Sequence, residues 1–317
     1  MTLLLVLGII AGLALLTVAA DQFVLGAARV ATVMKLSPVV IGAVVIGFGT
    51  SAPEMVVSSI AAASGSLDIA VGNIIGSNVA NLSLVLGVAS MVAPITVGSS
   101  MVRREAPLSL FSVLLFAWLV QDGLSATDGV IFFTVLIVSL AYILWSSHRD
   151  GAEADPLAAE VDEFLDGNGI QRGRESLRTL GGLLGTLAAA QLLVYCSTKL
   201  AAIAGLNEGF VGVTIIAIGT SLPELATSLQ AVRKNETDLI VGNLLGSNLF
   251  NSLAVGAAAA FAGPGMVSDT RLLSTGVILM VTVAVATTLM MATGRRIVRW
   301  EGGLLLIGYL ATLPLLA

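Results

Sequence analysis

Apolar runs long enough to cross a lipid bilayer follow one another along almost the whole chain. Each run covers about 20 residues, the length that an α-helix needs to span a hydrocarbon layer of ~30 Å. Charged residues make up only 11% of the chain, against about 25% in soluble domains. Backbone groups in lipid must be satisfied within each segment, so the runs are predicted to be helices. We therefore predict an all-α integral membrane protein with ten transmembrane helices, at 3–28, 37–63, 68–93, 105–121, 127–147, 176–203, 209–231, 238–262, 270–292 and 297–316.

The basic residues indicate how these helices are oriented. Of the 15 Lys and Arg residues, 13 lie in alternate connections, and only Lys199 and Arg271 lie on the opposite side. Cytoplasmic loops carry the excess of Lys and Arg. We therefore predict a multi-pass protein of the plasma membrane (the cell inner membrane) with both termini outside. The net charge of −5 argues against a nucleic-acid partner.

One long polar stretch, residues 148–175, interrupts the apolar runs. It holds seven acidic residues between Asp150 and Asp166, and the charge bias assigns it to the cytoplasm. A regulatory calcium loop is the alternative to a solvated linker. An EF-hand that began at Asp166 would need Gly where Gln171 stands, so the match fails. We predict an acidic cytoplasmic linker.

Two polar motifs occur twice in the chain, both at one offset of 170 residues. The motif GTSxPE occupies 49–54 and 219–224. The motif GNxxGSNxxN occupies 72–81 and 242–251. A shared offset through two separate motifs indicates two copies of one structural unit.

The number of helices between the copies predicts their relative orientation. Five predicted helices separate equivalent points, and five is odd, so the second copy enters the membrane from the opposite side. We predict a first five-helix repeat at 1–147 and a second, inverted five-helix repeat at 176–317. In this architecture the binding site lies near the membrane midplane, where the halves meet.

The repeated motifs put carboxylates inside apolar helices. Glu54 and Glu224 occupy symmetric positions, and a charge within the membrane indicates a functional site. Pro53 and its equivalent Pro223 lack an N–H and clash with the carbonyl four residues back, which frees nearby backbone oxygens. Helical spacing brings further oxygen-bearing side chains to the same faces. These side chains are Thr50, Ser51, Ser77 and Asn81 in the first copy, and Thr220, Ser221, Ser247 and Asn251 in the second.

All these candidate ligands are hard oxygens from carboxylate, amide, hydroxyl and carbonyl groups. Such ligands suit Ca²⁺ and Na⁺ and do not favour Zn²⁺ or Cu²⁺. The two carboxylates carry a charge of −2 when ionised, which balances one Ca²⁺. We predict calcium and sodium ions as transported partners, with no resident cofactor.

The paired motifs resemble the alpha repeats of the cation/calcium exchanger superfamily, and the chain is most similar to its prokaryotic sodium/calcium exchanger branch. The resemblance implies sodium/calcium antiport at sites formed by the second, third, seventh and eighth helices. It also implies that the first and sixth helices slide across that core to alternate access. The implied ligands are Thr50, Ser51, Glu54, Ser77, Asn81, Thr220, Ser221, Glu224, Ser247 and Asn251, with the carbonyls of Gly47 and Ala217.

Other functions remain as alternatives at this stage. A proton/calcium antiporter would use Glu54 or Glu224 as the proton carrier. A potassium-dependent sodium/calcium antiporter is less expected, because potassium-dependent relatives carry Asp where this chain has Asn251. An intramembrane enzyme with paired carboxylates would not explain the duplicated Ser and Asn residues, so we predict a secondary transporter. A passive channel fits repeats of opposite topology less well than alternating access does.

Overall fold

A computed structural model describes residues 2–34, 47–149, 172–234 and 237–316. Within these ranges the chain is almost entirely helical, as the apolar runs predict. Besides the helices, the strands β1 (Ile95–Thr96) and β2 (Arg296–Ile297) form a short antiparallel pair. The helices are α1 (Thr2–Val33), α2 (Gly47–Thr50), α3 (Ala52–Ala63), α4 (Leu67–Val92), α5 (Ser99–Arg103), α6 (Glu105–Leu119), α7 (Ala126–Arg149), α8 (Arg172–Ala204), α9 (Glu208–Thr220), α10 (Leu222–Lys234), α11 (237–262), α12 (Leu272–Gly294) and α13 (Arg299–Leu316).

Length and composition identify fewer membrane spans among the described residues than the ten predicted. Seven helical stretches are long and apolar enough to cross a membrane, and α9 with α10, bent by 40°, makes an eighth. The predicted span 37–63 begins outside the described residues, and its described apolar part, α3, has 12 residues. The predicted span 297–316 corresponds to α13, which has 18 residues and is not among the eight. The structure is thus that of an all-helical membrane protein with seven or eight candidate spans.

The surface of the described helices carries many large apolar side chains. Leu4 on α1, Val138 on α7 and Ile278 on α12 are each more than 60% exposed. All three tryptophans are also exposed, and Trp118, Trp145 and Trp300 lie near helix ends. Apolar side chains flanked by aromatic residues at the helix ends are typical of a surface that faces lipid and its interfaces.

Helices α4 and α11, which carry the GNxxGSNxxN motifs, form the centre of the molecule. Both are buried over most of their length, whereas α1 and α7 are largely exposed. Two small residues let α4 approach α9 closely, since a Cβ on Gly72 or Gly76 would meet backbone oxygens of α9. Small residues at such interfaces allow helix backbones to pack tightly in membranes.

Helices α1 and α8 pack side by side along most of their lengths. The residue numbers of the contacting pairs rise on α1 while they fall on α8, so the two helices run antiparallel. Three of the contacts involve a glycine of α1, and the fourth is an ion pair of 3.4 Å between Arg29 and Glu175. The pairs are Gly8 with Cys196, Gly12 with Leu193, Gly26 with Thr179, and Arg29 with Glu175.

The loops gather in two groups at the ends of the helices. In one group, β1 pairs with β2, and the hydroxyl of Thr96 lies 2.7 Å from that of Thr237. In the other, Leu124 pairs with Gly265, and Asp68 accepts a hydrogen bond of 2.7 Å from the Ser268 N–H. The first group lies among connections with the basic excess, and the second lies among those without it.

The acidic linker predicted at 148–175 falls mostly outside the described residues. Helix α7 extends to Arg149, and α8 begins at Arg172. The helical structure therefore reaches further into this stretch at both ends than the sequence indicated. Residues 150–171 lie outside the described part of the chain.

Candidate ion-binding site

The two GTSxPE motifs break their helices in the same way. Ser51 separates α2 from α3 with φ −89° and ψ 6°, and Ser221 separates α9 from α10 with φ −87° and ψ 4°. The proline of each motif follows within the first turn of the new helix, where its missing N–H costs nothing. Each break places its glutamate, Glu54 or Glu224, in the first turn of a helix. The positive end of the helix dipole favours a negative charge there.

The glutamate helices pack crosswise on the opposite half of the molecule. Helix α3 packs on the turn Asn251–Val255 of α11, and α10 packs on the turn Asn81–Val85 of α4. Both turns have the wider π-helical form, which is frequent at functional sites. The crossing brings the glutamate helix of each half against the turn of the other half that begins with Asn81 or Asn251.

Eight of the ten predicted ligand side chains are buried and carry an oxygen or nitrogen without a hydrogen-bond partner among the described residues. Thirteen described residues carry a buried side-chain nitrogen or oxygen without a hydrogen-bond partner, and eight of them belong to the predicted ligand set. In folded proteins more than about 90% of buried polar groups are paired, and each unpaired one costs about 1–3 kcal/mol. Eight such residues at equivalent positions of a repeat are the pattern that a ligand site would present. The eight are Ser51, Glu54, Ser77, Asn81, Ser221, Glu224, Ser247 and Asn251.

The other four predicted ligands, which are two threonines and two backbone carbonyls, are not among these unpaired groups. Thr220 donates hydrogen bonds to Asn73 Oδ1 at 3.3 Å and to the carbonyl of Ala217 at 3.4 Å. That carbonyl also accepts from the Ser221 N–H at 3.1 Å, so it is not an unpaired oxygen. Thr50 is partly buried at the end of α2, and Gly47 begins that helix. Their roles as ligands stay predictions.

Asn73 is a buried residue of the site to which the sequence analysis assigned no role. Its Nδ2 donates to Ser58 Oγ at 2.9 Å and to the Glu54 carbonyl at 3.4 Å, while its Oδ1 accepts from Thr220. It thereby ties the first glutamate helix to the second GTSxPE motif. An asparagine occupies this position in both copies of the repeat, at Asn73 and Asn243, and this repetition could have marked Asn73 as a residue of the site.

Helix α1 lies across both helix breaks. A Cβ on Gly49 would collide with Val24 of α1, and a Cβ on Gly219 would collide with Leu13 of the same helix. One helix thus covers the two equivalent points of the repeat. The glycines of GTSxPE allow α1 to approach the backbone that carries the candidate ligands.

Comparison with known protein families agrees with this geometry. The family model described as "Sodium/calcium exchanger protein" matches residues 4–145 and 177–316, which include both repeats. The chain belongs to this exchanger family. Membership identifies it as a transporter of the cation/calcium antiporter class and not an enzyme, as the motifs indicated.

Individual relatives support the same conclusion. The chain is 37% identical to CaxA of Alkalimonas amylolytica over 308 residues, which covers 95% of each protein. It is also 37% identical to "Inner membrane protein YrbG" of Escherichia coli (strain K12) over 263 residues, 81% of this chain and 79% of that protein. A solved structure of the sodium-calcium exchanger NCX_Mj, soaked with Na⁺ and Sr²⁺, shares 30% identity and covers 99% of both chains with a TM-score of 0.66. The predicted resemblance to prokaryotic sodium/calcium exchangers is confirmed.

Proposed function

We propose that this exchanger is a secondary active antiporter that moves calcium against sodium by alternating access. The observation that carries the proposal is the pair of equivalent glutamates. Glu54 and Glu224 are buried, and none of their four carboxylate oxygens forms a hydrogen bond with the residues that the structure describes. Ionised carboxylates at such depth are tolerated when a cation compensates them. The name of the related NCX_Mj supports sodium and calcium as the exchanged pair.

The proposed ligands match these ions in type and in charge. Carboxylate, amide and hydroxyl oxygens from both halves can supply the 6–8 ligands that Ca²⁺ takes. The charge of −2 balances one Ca²⁺ or two Na⁺. We therefore expect Ca²⁺ and Na⁺ to compete for the site, because both ions need the same two carboxylates. We include Thr50, Thr220 and the carbonyls of Gly47 and Ala217 in the proposed set.

We further propose ten transmembrane helices in two inverted halves, 1–147 and 176–317, joined by a cytoplasmic linker at 148–175. The antiparallel packing of α1 and α8 supports this architecture, since equivalent helices of inverted repeats run in opposite directions. The grouping of the loops supports it as well. The proposed location is the plasma membrane, and the name of the inner-membrane relative agrees with that.

The packing of α1 suggests how access alternates. Its residues Val24 and Leu13 contact Gly49 and Gly219 at the two helix breaks, and its ion pair with α8 holds the two exposed helices together. Apolar contacts between smooth helical faces can slide at low cost, whereas the buried polar core of α4 and α11 cannot rearrange as easily. We propose that α1 and α8 move together over a fixed site.

The function is tested by calcium uptake into vesicles that contain the purified protein. Vesicles loaded with Na⁺ and diluted into Na⁺-free buffer are expected to accumulate labelled calcium, and collapse of the sodium gradient with an ionophore is expected to stop it. A proton gradient at equal sodium should drive no uptake. Uptake that follows the proton gradient, or that needs potassium, would instead identify a proton/calcium or potassium-dependent antiporter.

The orientation is tested by labelling single cysteines in intact cells. The one native cysteine, Cys196, is buried against α1, so Cys196→Ser gives a suitable background. A cysteine at position 160, in the proposed linker, should resist a membrane-impermeant maleimide added outside, whereas one at Leu206, in the loop before α9, should react. Labelling at position 160 from outside would refute the proposed orientation.

A further inference from the structure

Two buried side-chain amides and one backbone carbonyl join α4 to α11 at the centre of the molecule. Asn81 Nδ2 donates to Asn248 Oδ1 at 3.1 Å. Asn248 Nδ2 in turn donates to the backbone carbonyl of Asn78 at 3.2 Å. Asn81 and Asn248 are both 0% exposed. Asn248 is not among the proposed ion ligands, yet it is bonded to one of them.

The donors and acceptors of this chain of bonds fix how each amide is turned. A backbone carbonyl can only accept, so Asn248 must turn its Nδ2 toward Asn78 and its Oδ1 toward Asn81. Asn81 must then turn its Nδ2 toward Asn248. The side-chain atom of Asn81 that remains for an ion is Oδ1, which has no hydrogen-bond partner among the described residues. The orientation follows from the hydrogen-bond network, as amide assignments must.

From this network we infer that Asn248 is a positioning residue, which turns the carbonyl oxygen of Asn81 toward the transported cation. Without it, Asn81 could present its NH₂ group to the site, and an N–H repels a cation. The inference rests on the proposed function, because it takes Asn81 as a calcium ligand. The role resembles that of groups that orient metal ligands from behind, whose loss typically lowers metal affinity about 10–100-fold.

The second half of the molecule lacks the equivalent interaction. Asn78 occupies the position that corresponds to Asn248, but its Nδ2 donates to Ile74 of its own helix at 2.8 Å, and its Oδ1 accepts from Ser252 at 3.4 Å. Asn251, the equivalent of Asn81, has no hydrogen-bond partner at either amide atom within the described part of the chain. Among the described contacts, Asn81 is therefore held in a fixed orientation and Asn251 is not, and the orientation of Asn81 depends on Asn248.

The test is a double-mutant cycle read out by equilibrium binding of labelled calcium to the purified protein. Asn248→Ala is expected to weaken calcium binding at least tenfold in the wild-type background. In the Asn81→Asp background the same change should cost less than threefold or improve binding. A carboxylate offers oxygen whichever way it turns, and Asn248 Oδ1 would face an oxygen there. Should Asn248→Ala not fold, Asn248→Ser replaces it, since a hydroxyl is too short to join both partners.

The outcomes separate this inference from the proposed function. Equal losses in the two backgrounds would make Asn248 a packing residue and overturn the inference, as would loss of all calcium binding in Asn81→Asp alone. Absence of calcium binding by the wild type would instead overturn the proposed function. Ser252→Ala is the matched control, because it removes a bond to Asn78 without touching Asn81 or Asn248. It should change calcium affinity less than threefold.

Discussion

Replacing either Glu54 or Glu224 by Gln is expected to abolish sodium-driven calcium uptake. Glutamine keeps the shape of the side chain and removes half of the charge that balances a desolvated Ca²⁺. Both glutamates are at most 1% exposed, so water cannot replace the lost charge. An uncompensated buried charge costs several kcal/mol, and even 3 kcal/mol corresponds to more than about 100-fold in affinity. Initial rates of labelled calcium uptake into sodium-loaded vesicles measure the effect.

A matched control separates loss of the site from loss of the fold. Glu208→Gln makes the same chemical change at the start of α9, where the side chain is partly exposed. This variant should transport calcium at close to the wild-type rate. Both site variants should keep the melting temperature of the wild type or exceed it, because a buried unpaired charge has been removed from each. Near-wild-type exchange by Glu54→Gln or Glu224→Gln would contradict the site assignment.

Replacing Asn251 by Asp is expected to make exchange depend on potassium or on pH, whereas the wild type should be sodium-driven and independent of potassium. Asn251 is fully buried, and neither of its amide atoms has a hydrogen-bond partner in the described ranges, so an added carboxylate would enter the proposed site itself. A third negative charge beside two others is relieved by a bound proton or by a further cation. The variant should therefore gain a requirement that the wild type does not have.

The wild-type charge balance also predicts how transport responds to voltage. Two carboxylates balance one Ca²⁺ or two Na⁺, so a third Na⁺ would leave one net positive charge. Moving that charge across the membrane costs or releases about 2.3 kcal/mol for each 100 mV of membrane potential, depending on the direction of movement. Exchange of three Na⁺ for one Ca²⁺ should therefore respond to voltage. Uptake by wild type and Asn251→Asp is measured with and without potassium, at several pH values and at clamped voltage. Asn207→Asp, in the exposed loop before α9, is the control for added charge. Wild-type uptake that requires potassium would contradict the prediction.

The sequence predicts most of the candidate site because two features coincide there. Glu54 and Glu224 are carboxylates in apolar surroundings, and each lies in a motif repeated at one offset. Ser77 and Asn251 are predicted from helical spacing, which is a local property. Asn78 and Asn248 belong to the same repeats, but nothing in their spacing distinguishes a residue that binds an ion from one that orients a neighbour.

For the backbone carbonyls, the sequence indicates where the helix breaks but not which hydrogen bonds form around the break. The missing N–H of Pro223 indicates a broken helix, and the helix does bend at Ser221. The carbonyl of Ala217 is nevertheless occupied by the Ser221 N–H and the Thr220 hydroxyl. A proline removes one donor at a known position, but the turn that replaces the helical bond decides which oxygen gains another donor.

The sequence by itself determined that this chain is a helical membrane protein with two copies of one pair of polar motifs, since hydrophobic length and repeated polar residues are properties of the chain alone. Tertiary structure decided which residues of one copy meet those of the other. Asn81 and Asn248 are 167 residues apart and 3.1 Å from one another, and α3 meets the π-helical turn of α11 only through the crossing of the two halves. Contacts of this kind depend on how whole helices pack, so the asymmetry between Asn81 and Asn251 has no counterpart in two sequence motifs that match at every one of their defined positions.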